Sequence, residues 1–78
     1  MSAKNSERQV VAERITVGLI PKVVKELDDL QRHTGMSKTD LVNRAVSLYF
    51  FIDRHLASGE EIRLHDPNTQ QDQRVYLL

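Results

Sequence analysis

The segment Arg14–Leu19 constrains the fold most, because polar and apolar residues alternate strictly along it. Period-two alternation is typical of a strand with one buried face and one exposed face. A single strand in a small, otherwise helical chain leaves backbone N–H and C=O groups unpaired on both edges. The sequence therefore predicts a strand over 13–19 that pairs with the same strand of a second copy. The side chains expected to face the shared core are Ile15, Val17 and Leu19.

Length and composition limit the classes of protein to which this chain can belong. The chain has 78 residues and no cysteine, which allows one domain at most and excludes disulfides and thiolate metal sites. A monomer of this size is marginally stable. No apolar run approaches the roughly 20 residues that span a bilayer, and Met1–Ala12 lacks the apolar region of a signal peptide. We expect a cytoplasmic protein without a membrane segment that gains stability by oligomerising.

The formal net charge is zero, but the charges are unevenly distributed. Residues 1–25 carry five basic and two acidic side chains, whereas residues 55–78 carry two Arg and four acidic side chains. Contact with phosphate depends on local charge more than on the total. The positive excess therefore lies in and around the predicted strand, and the acidic excess lies in the tail.

Two amphipathic helices are predicted after the strand. The first covers about 21–33, with Pro21 at a position that tolerates proline and Gly35 at the closing left-handed position. The second starts at Ser37, which suits an N-cap, and continues to about Ala57. Its apolar surface is wider than one stripe, so it must bury two faces. Residues expected in the dimer core from the two helices are Leu27, Leu41, Val42, Ala45, Val46 and Tyr49.

The tail changes from helical spacing to alternation. Ile62 and Leu64 alternate with polar residues, Val75 and Leu77 do the same, and turn-forming residues lie between the two runs. This pattern predicts a C-terminal β-hairpin. The chain thus divides into a flexible N-terminal arm (1–12), a central domain (13–56) and a C-terminal extension (57–78).

A strand, a helix, a Gly35-Met36-Ser37-Lys38-Thr39 turn and a second helix, in this order and spacing, resemble the ribbon-helix-helix superfamily of DNA-binding proteins, the MetJ and Arc type. The resemblance covers roughly residues 13–56. It implies a mostly α fold with one N-terminal β-strand, an intertwined homodimer, and an antiparallel ribbon that enters the major groove of double-stranded DNA.

The resemblance also implies roles for individual residues. The base-contacting positions are Arg14, Thr16 and Gly18, although glycine departs from the polar side chain that is common there and cannot donate to a base edge. Ser37, Lys38 and Thr39 at the second helix start would hold a backbone phosphate, which helix N-termini suit. Lys22 directly follows the strand and is a further expected phosphate contact.

Several functions remain open at this point. The first is a sequence-specific transcriptional repressor, with dimers side by side on repeated half-sites. An antitoxin that represses its own operon and neutralises a toxin through residues 57–78 is the second, and a plasmid copy-control, partition or DNA-transfer accessory protein is the third. An oligomerisation module without DNA binding is the rival from another class. We expect no enzyme activity, no catalytic residues, no metal and no cofactor, since the three histidines are separated and no nucleophile or glycine-rich motif is present.

Overall fold

The computed structural model describes residues 10–76. Within them, two helices, α1 (Pro21–Thr34) and α2 (Lys38–Ala57), precede two strands, β1 (Ile62–Asp66) and β2 (Gln71–Val75). The two strands pair antiparallel and form a hairpin at the end of the chain. The predicted helices and the presence of a C-terminal hairpin are therefore confirmed, but β2 begins earlier than the alternation of Val75 and Leu77 predicts, and Leu77 lies outside the described residues. Neither helix is long and apolar enough to cross a membrane.

The predicted N-terminal strand over 13–19 is wrong. Residues 10–20 form neither strand nor helix, and Ile20, just before α1, has the extended backbone angles φ −74° and ψ 158°. A strand is defined by its hydrogen-bonded neighbour, and no segment of residues 10–76 pairs with this one. The expected class, a mostly α fold with an N-terminal β-strand in an intertwined ribbon-helix-helix homodimer, is therefore replaced by two helices followed by a hairpin.

Local residue chemistry sets the ends of α1. Pro21 occupies the first turn, where its missing N–H costs nothing, and Ile20 provides no side-chain cap. At the other end Gly35 adopts the left-handed conformation (φ 75°), and its N–H donates to the Gln31 carbonyl at 2.9 Å. The helix therefore closes with a left-handed glycine cap, as the sequence predicts.

The hairpin turn is held by hydrogen bonds to Asp66. The N–H of Gln70 donates to the Asp66 carbonyl at 2.7 Å, and the N–H of Asn68 donates to the Asp66 carboxylate at 2.9 Å. Across the strands Ile62 lies opposite Val75. These two side chains are half-buried, and β1 is the strand that contacts α2. The hairpin thus packs one end of its apolar face on the helix.

The core is very small for a chain of this length. Leu41 is the only buried residue among those described, at 9% exposure. The accessible surface is 7370 Å², against about 4,900 Å² for a compact protein of this mass, and the radius of gyration is 15.6 Å against about 11.5 Å. About 2,500 Å² per chain is therefore exposed in excess. An excess of this size means that the helices and the extended segment 10–20 leave much of their surface uncovered in the single chain.

Candidate nucleic-acid interface

The start of α2 has the chemistry of an anion site. Ser37 adopts an extended conformation (φ −73°, ψ 163°), and its side-chain oxygen accepts the Asp40 N–H at 3.1 Å, which confirms the predicted cap. The N–H groups of Lys38 and Thr39 lie in the first turn, where helix N–H groups have no intrahelical acceptor. They lie at the positive end of the helix dipole, and the first turn carries both the Lys38 ammonium and the Asp40 carboxylate.

The three positions expected to contact bases lie in the extended segment 10–20. Arg14, Thr16 and Gly18 are exposed, and Arg14 forms no ion pair among residues 10–76. Gly18 has no positive φ, and a Cβ added to it would meet no atom within 4 Å. The fold therefore does not require glycine at position 18, and a larger side chain fits there without strain.

Lys22 differs from Lys38 in its surroundings. The Lys22 ammonium forms an ion pair with Glu26 one helical turn later. Lys38 has no ion-pair partner within the part of the chain that the structure describes. An anion that approaches α1 at Lys22 would compete with the Glu26 carboxylate for the ammonium, whereas an anion at Lys38 would displace no ion-pair partner among the described residues.

Most of the residues expected in the dimer core are exposed in the single chain. Leu41 is buried and Leu27 is half-buried, whereas Ile15 is 67%, Val17 57% and Val46 64% exposed. The remaining members of this set are also exposed: Leu19, Val42, Ala45 and Tyr49. The extended segment contributes Leu19 to a shallow depression on α1, but these side chains do not form a core within the described part of one chain.

An apolar depression on α2 is part of this uncovered surface. It has a volume of about 450 Å³ and is lined by Ala45, Val46, Tyr49, Phe50 and Asp53. Four of these five side chains are apolar or aromatic, which suits a protein surface and not a polar substrate. The predicted second apolar face of α2 is thus present and uncovered.

A polar cluster between α2 and β1 was not predicted from the sequence. The His55 ring nitrogen Nδ1 lies 2.7 Å from the Glu60 carboxylate, and the Ser58 hydroxyl donates to the same carboxylate at 3.1 Å. The hydrogen bond from His55, then that from Ser58, lowers the pKa of Glu60 below its ordinary 4.5. The available signal was a histidine in the last turn of a predicted helix with an acidic residue five positions later.

Among residues 10–76, no group of three or more His, Cys, Asp or Glu side chains is arranged to hold a metal ion. Comparison of the chain with protein-family models, with curated proteins and with solved structures finds no match.

Proposed function

We propose that this chain is a homodimeric protein that binds double-stranded DNA in a sequence-dependent manner and acts as a transcriptional repressor. The observation that carries the proposal is the exposed apolar surface of α2, together with about 2,500 Å² of excess accessible area per chain. A second copy of the same chain is the simplest cover for such a surface. Dimerisation also duplicates every polar feature of the chain about a two-fold axis, as half-site recognition of duplex DNA requires.

Phosphate contact is assigned to the start of α2. The capped first turn offers the N–H groups of Lys38 and Thr39 together with the Lys38 ammonium. Phosphate contacts fix the register of a protein on the duplex but carry no sequence information. In a dimer, two such turns would contact the backbone at two places and so orient the protein.

Base discrimination is assigned to the extended segment that precedes α1. Arg14 offers a guanidinium that suits guanine O6 and N7, and Thr16 offers a hydroxyl and a methyl group. Both are exposed on a segment that an incoming duplex can reach. Gly18 contributes no side chain, so each chain supplies two reading side chains.

DNA binding is tested by titration of the purified chain with DNA selected from a random library, at several salt concentrations. A protein that neutralises phosphates shows a steep linear fall of log affinity with log salt. Lys38→Ala should reduce that slope by about 2 per dimer, since one contact is lost in each chain and each is worth about 0.9. Lys25→Ala removes an equal charge from exposed α1 and is the matched control.

Two variants distinguish phosphate contacts, which position the protein on the duplex, from base contacts, which recognise the sequence. Arg14→Ala should weaken binding and relax the base preference at one position of each half-site, whereas Lys38→Ala should weaken binding about equally on all sequences. A slope near zero, or no binding at low salt, contradicts the proposal. Equal losses for Lys25→Ala and Lys38→Ala would remove the assigned role of the α2 start.

A further inference from the structure

The outer edge of β2 has no neighbour in the part of the chain that the structure describes. β2 pairs with β1 on one side, and β1 is the strand that contacts α2. Proteins protect such edges with very short strands, charged side chains, proline, bulges or covering loops. Residues Gln71–Val75 contain neither proline nor lysine, their register with β1 is regular, and their two charged side chains, Asp72 and Arg74, are of opposite sign and so can pair with a second copy. The β2 edge is therefore a regular strand edge open to another strand.

The exposed face of the hairpin contains an unfavourable pair of like charges. Arg63 lies directly opposite Arg74, and like charges in this position destabilise a sheet. A single carboxylate serves both: Glu61 lies 2.7 Å from the Arg63 guanidinium and 3.4 Å from that of Arg74. Arg74 also lies over the Tyr76 ring, at 4.7 Å from its centroid. A second negative charge beside Arg74 would balance the pair.

We propose that the β2 edge pairs with the β2 edge of a second copy, antiparallel and centred on Gln73, to form a four-stranded sheet. In this register Asp72 lies opposite Arg74 of the second copy, and Arg74 lies opposite the second copy's Asp72. Two opposite-charge cross-strand pairs form, of the kind that stabilises sheets. Each arginine pair gains a second carboxylate in addition to that of Glu61.

In the four-stranded sheet, the new edge places an arginine beside an aspartate in each of two rows. Within one chain His65 lies 2.6 Å from Asp72 on the face that also carries Arg63 and Arg74. Across the new edge, the row that contains Arg63 and Arg74 continues into the second copy's Asp72 and His65. The two-fold axis generates a second, identical row, which contains Asp72 and His65 of the first copy and Arg74 and Arg63 of the second. Charge complementarity therefore selects a second copy of this chain as the occupant of the edge.

The alternative edge is less suitable for the same interaction. A symmetric pairing of β1 with β1, centred on Leu64, would place Arg63 opposite the second copy's His65 and so bring two basic side chains together. It would also use β1, the strand that already contacts α2. The β2 edge is both free and self-complementary, and the proposal is confined to it.

Cysteine variants of the full chain test the register directly. The chain contains no cysteine, so each variant carries a single thiol. Gln73→Cys places two thiols on directly opposite residues, whose Cα atoms lie about 4.5–5.5 Å apart in an antiparallel pair, within the range of a disulfide. Gln71→Cys is the matched control on the same strand and face. Its offset from its own counterpart is four residues, or about 13 Å, too far for a bond.

Mild oxidation without DNA should convert most of the Gln73→Cys chain to a covalent dimer and leave Gln71→Cys uncrosslinked. The absence of a crosslink in Gln73→Cys overturns the proposal, and this is the result expected if the edge instead receives a strand of a different protein. Equal crosslinking of both variants also overturns it, because random collision would then explain the bond. Sedimentation of the reduced Gln73→Cys protein tests the helical dimer separately, because that dimer does not depend on position 73. A reduced protein that is dimeric but forms no crosslink on oxidation overturns the pairing of the β2 edges and leaves the helical dimer intact.

Charge variants give a second readout. Asp72→Arg places arginine opposite Arg74 of the second copy and should reduce crosslinking when combined with Gln73→Cys, because two favourable pairs become two like-charge pairs. The swap of both residues, Asp72→Arg with Arg74→Asp, restores opposite charges across the edge and should restore the crosslink. A crosslink that is unchanged by Asp72→Arg contradicts the assigned register.

Discussion

A substitution at Val46 distinguishes a chain that folds as a monomer from a chain that needs a second copy to cover its apolar surface. Its side chain is 64% exposed on α2 and lines the apolar depression with Tyr49 and Phe50. Val46→Ala removes two carbon groups, each worth about 0.8 kcal/mol when buried. If the exposed fraction becomes covered on association, the loss is about 1 kcal/mol per chain and about 2 kcal/mol per dimer.

The assay is equilibrium sedimentation combined with urea unfolding over a hundredfold range of chain concentration. A loss of about 2 kcal/mol weakens the dimer dissociation constant about 30-fold. The unfolding midpoint should rise with chain concentration, since association stabilises the folded state by mass action. Ser47→Ala is the matched control: it introduces the same residue in the same helix but removes no apolar carbon, so the dissociation constant should stay within about twofold.

If the chain folds as a monomer, Val46→Ala should change the free energy of unfolding in the opposite direction. Alanine has a higher helix propensity than valine by about 0.5 kcal/mol, so Val46→Ala at an exposed site would stabilise the protein slightly. A stabilised variant with a midpoint independent of concentration would refute the reasoning from surface area.

Three further predictions concern single residues. Ser37→Ala should lower the unfolding free energy by about 1 kcal/mol, because the Asp40 N–H loses its acceptor, and urea unfolding checks this; an unchanged midpoint would contradict the cap. Gly18→Ser should leave stability within about 0.5 kcal/mol, since the added side chain meets open space, while DNA selection should return an altered base preference; a destabilised variant would show that the site is crowded. The lowered pKa of Glu60 means that its ionised form stabilises the fold above the ordinary value of 4.5, and that this contribution is lost as pH falls through the lowered folded value. The stability difference between the parent chain and Glu60→Gln, followed by thermal unfolding from neutral pH downward, should therefore shrink below pH 4.5, and a constant difference would exclude the His55 contact as its source.

The helices and the hairpin could be predicted because their signals are local. Ser37 caps α2, Gly35 closes α1, and Asp66 accepts the hydrogen bonds of the hairpin turn, each within a few residues in sequence. The two strands of the hairpin are also neighbours along the chain, so their alternation and the turn between them together determine the pairing.

The prediction of an N-terminal strand was wrong because its signal is not of this local kind. Alternation over Arg14–Leu19 shows which side chains share a face but not what the backbone pairs with, and no segment of residues 10–76 pairs with it. Lys22 and Lys38 also differ in their surroundings, and this difference could have been predicted. The (i, i+4) spacing of Lys22 and Glu26 is itself a sequence signal for the ion pair that lowers the suitability of Lys22 for phosphate.

The central claim is that one chain cannot cover its own apolar surface and that a second copy does so. Sedimentation equilibrium of the unmodified protein at micromolar concentration tests this most directly. We expect a species of twice the 9.0 kDa chain mass, or an even multiple of the chain when the hairpin edges also pair. A stably folded species of 9.0 kDa that persists on concentration would contradict the account.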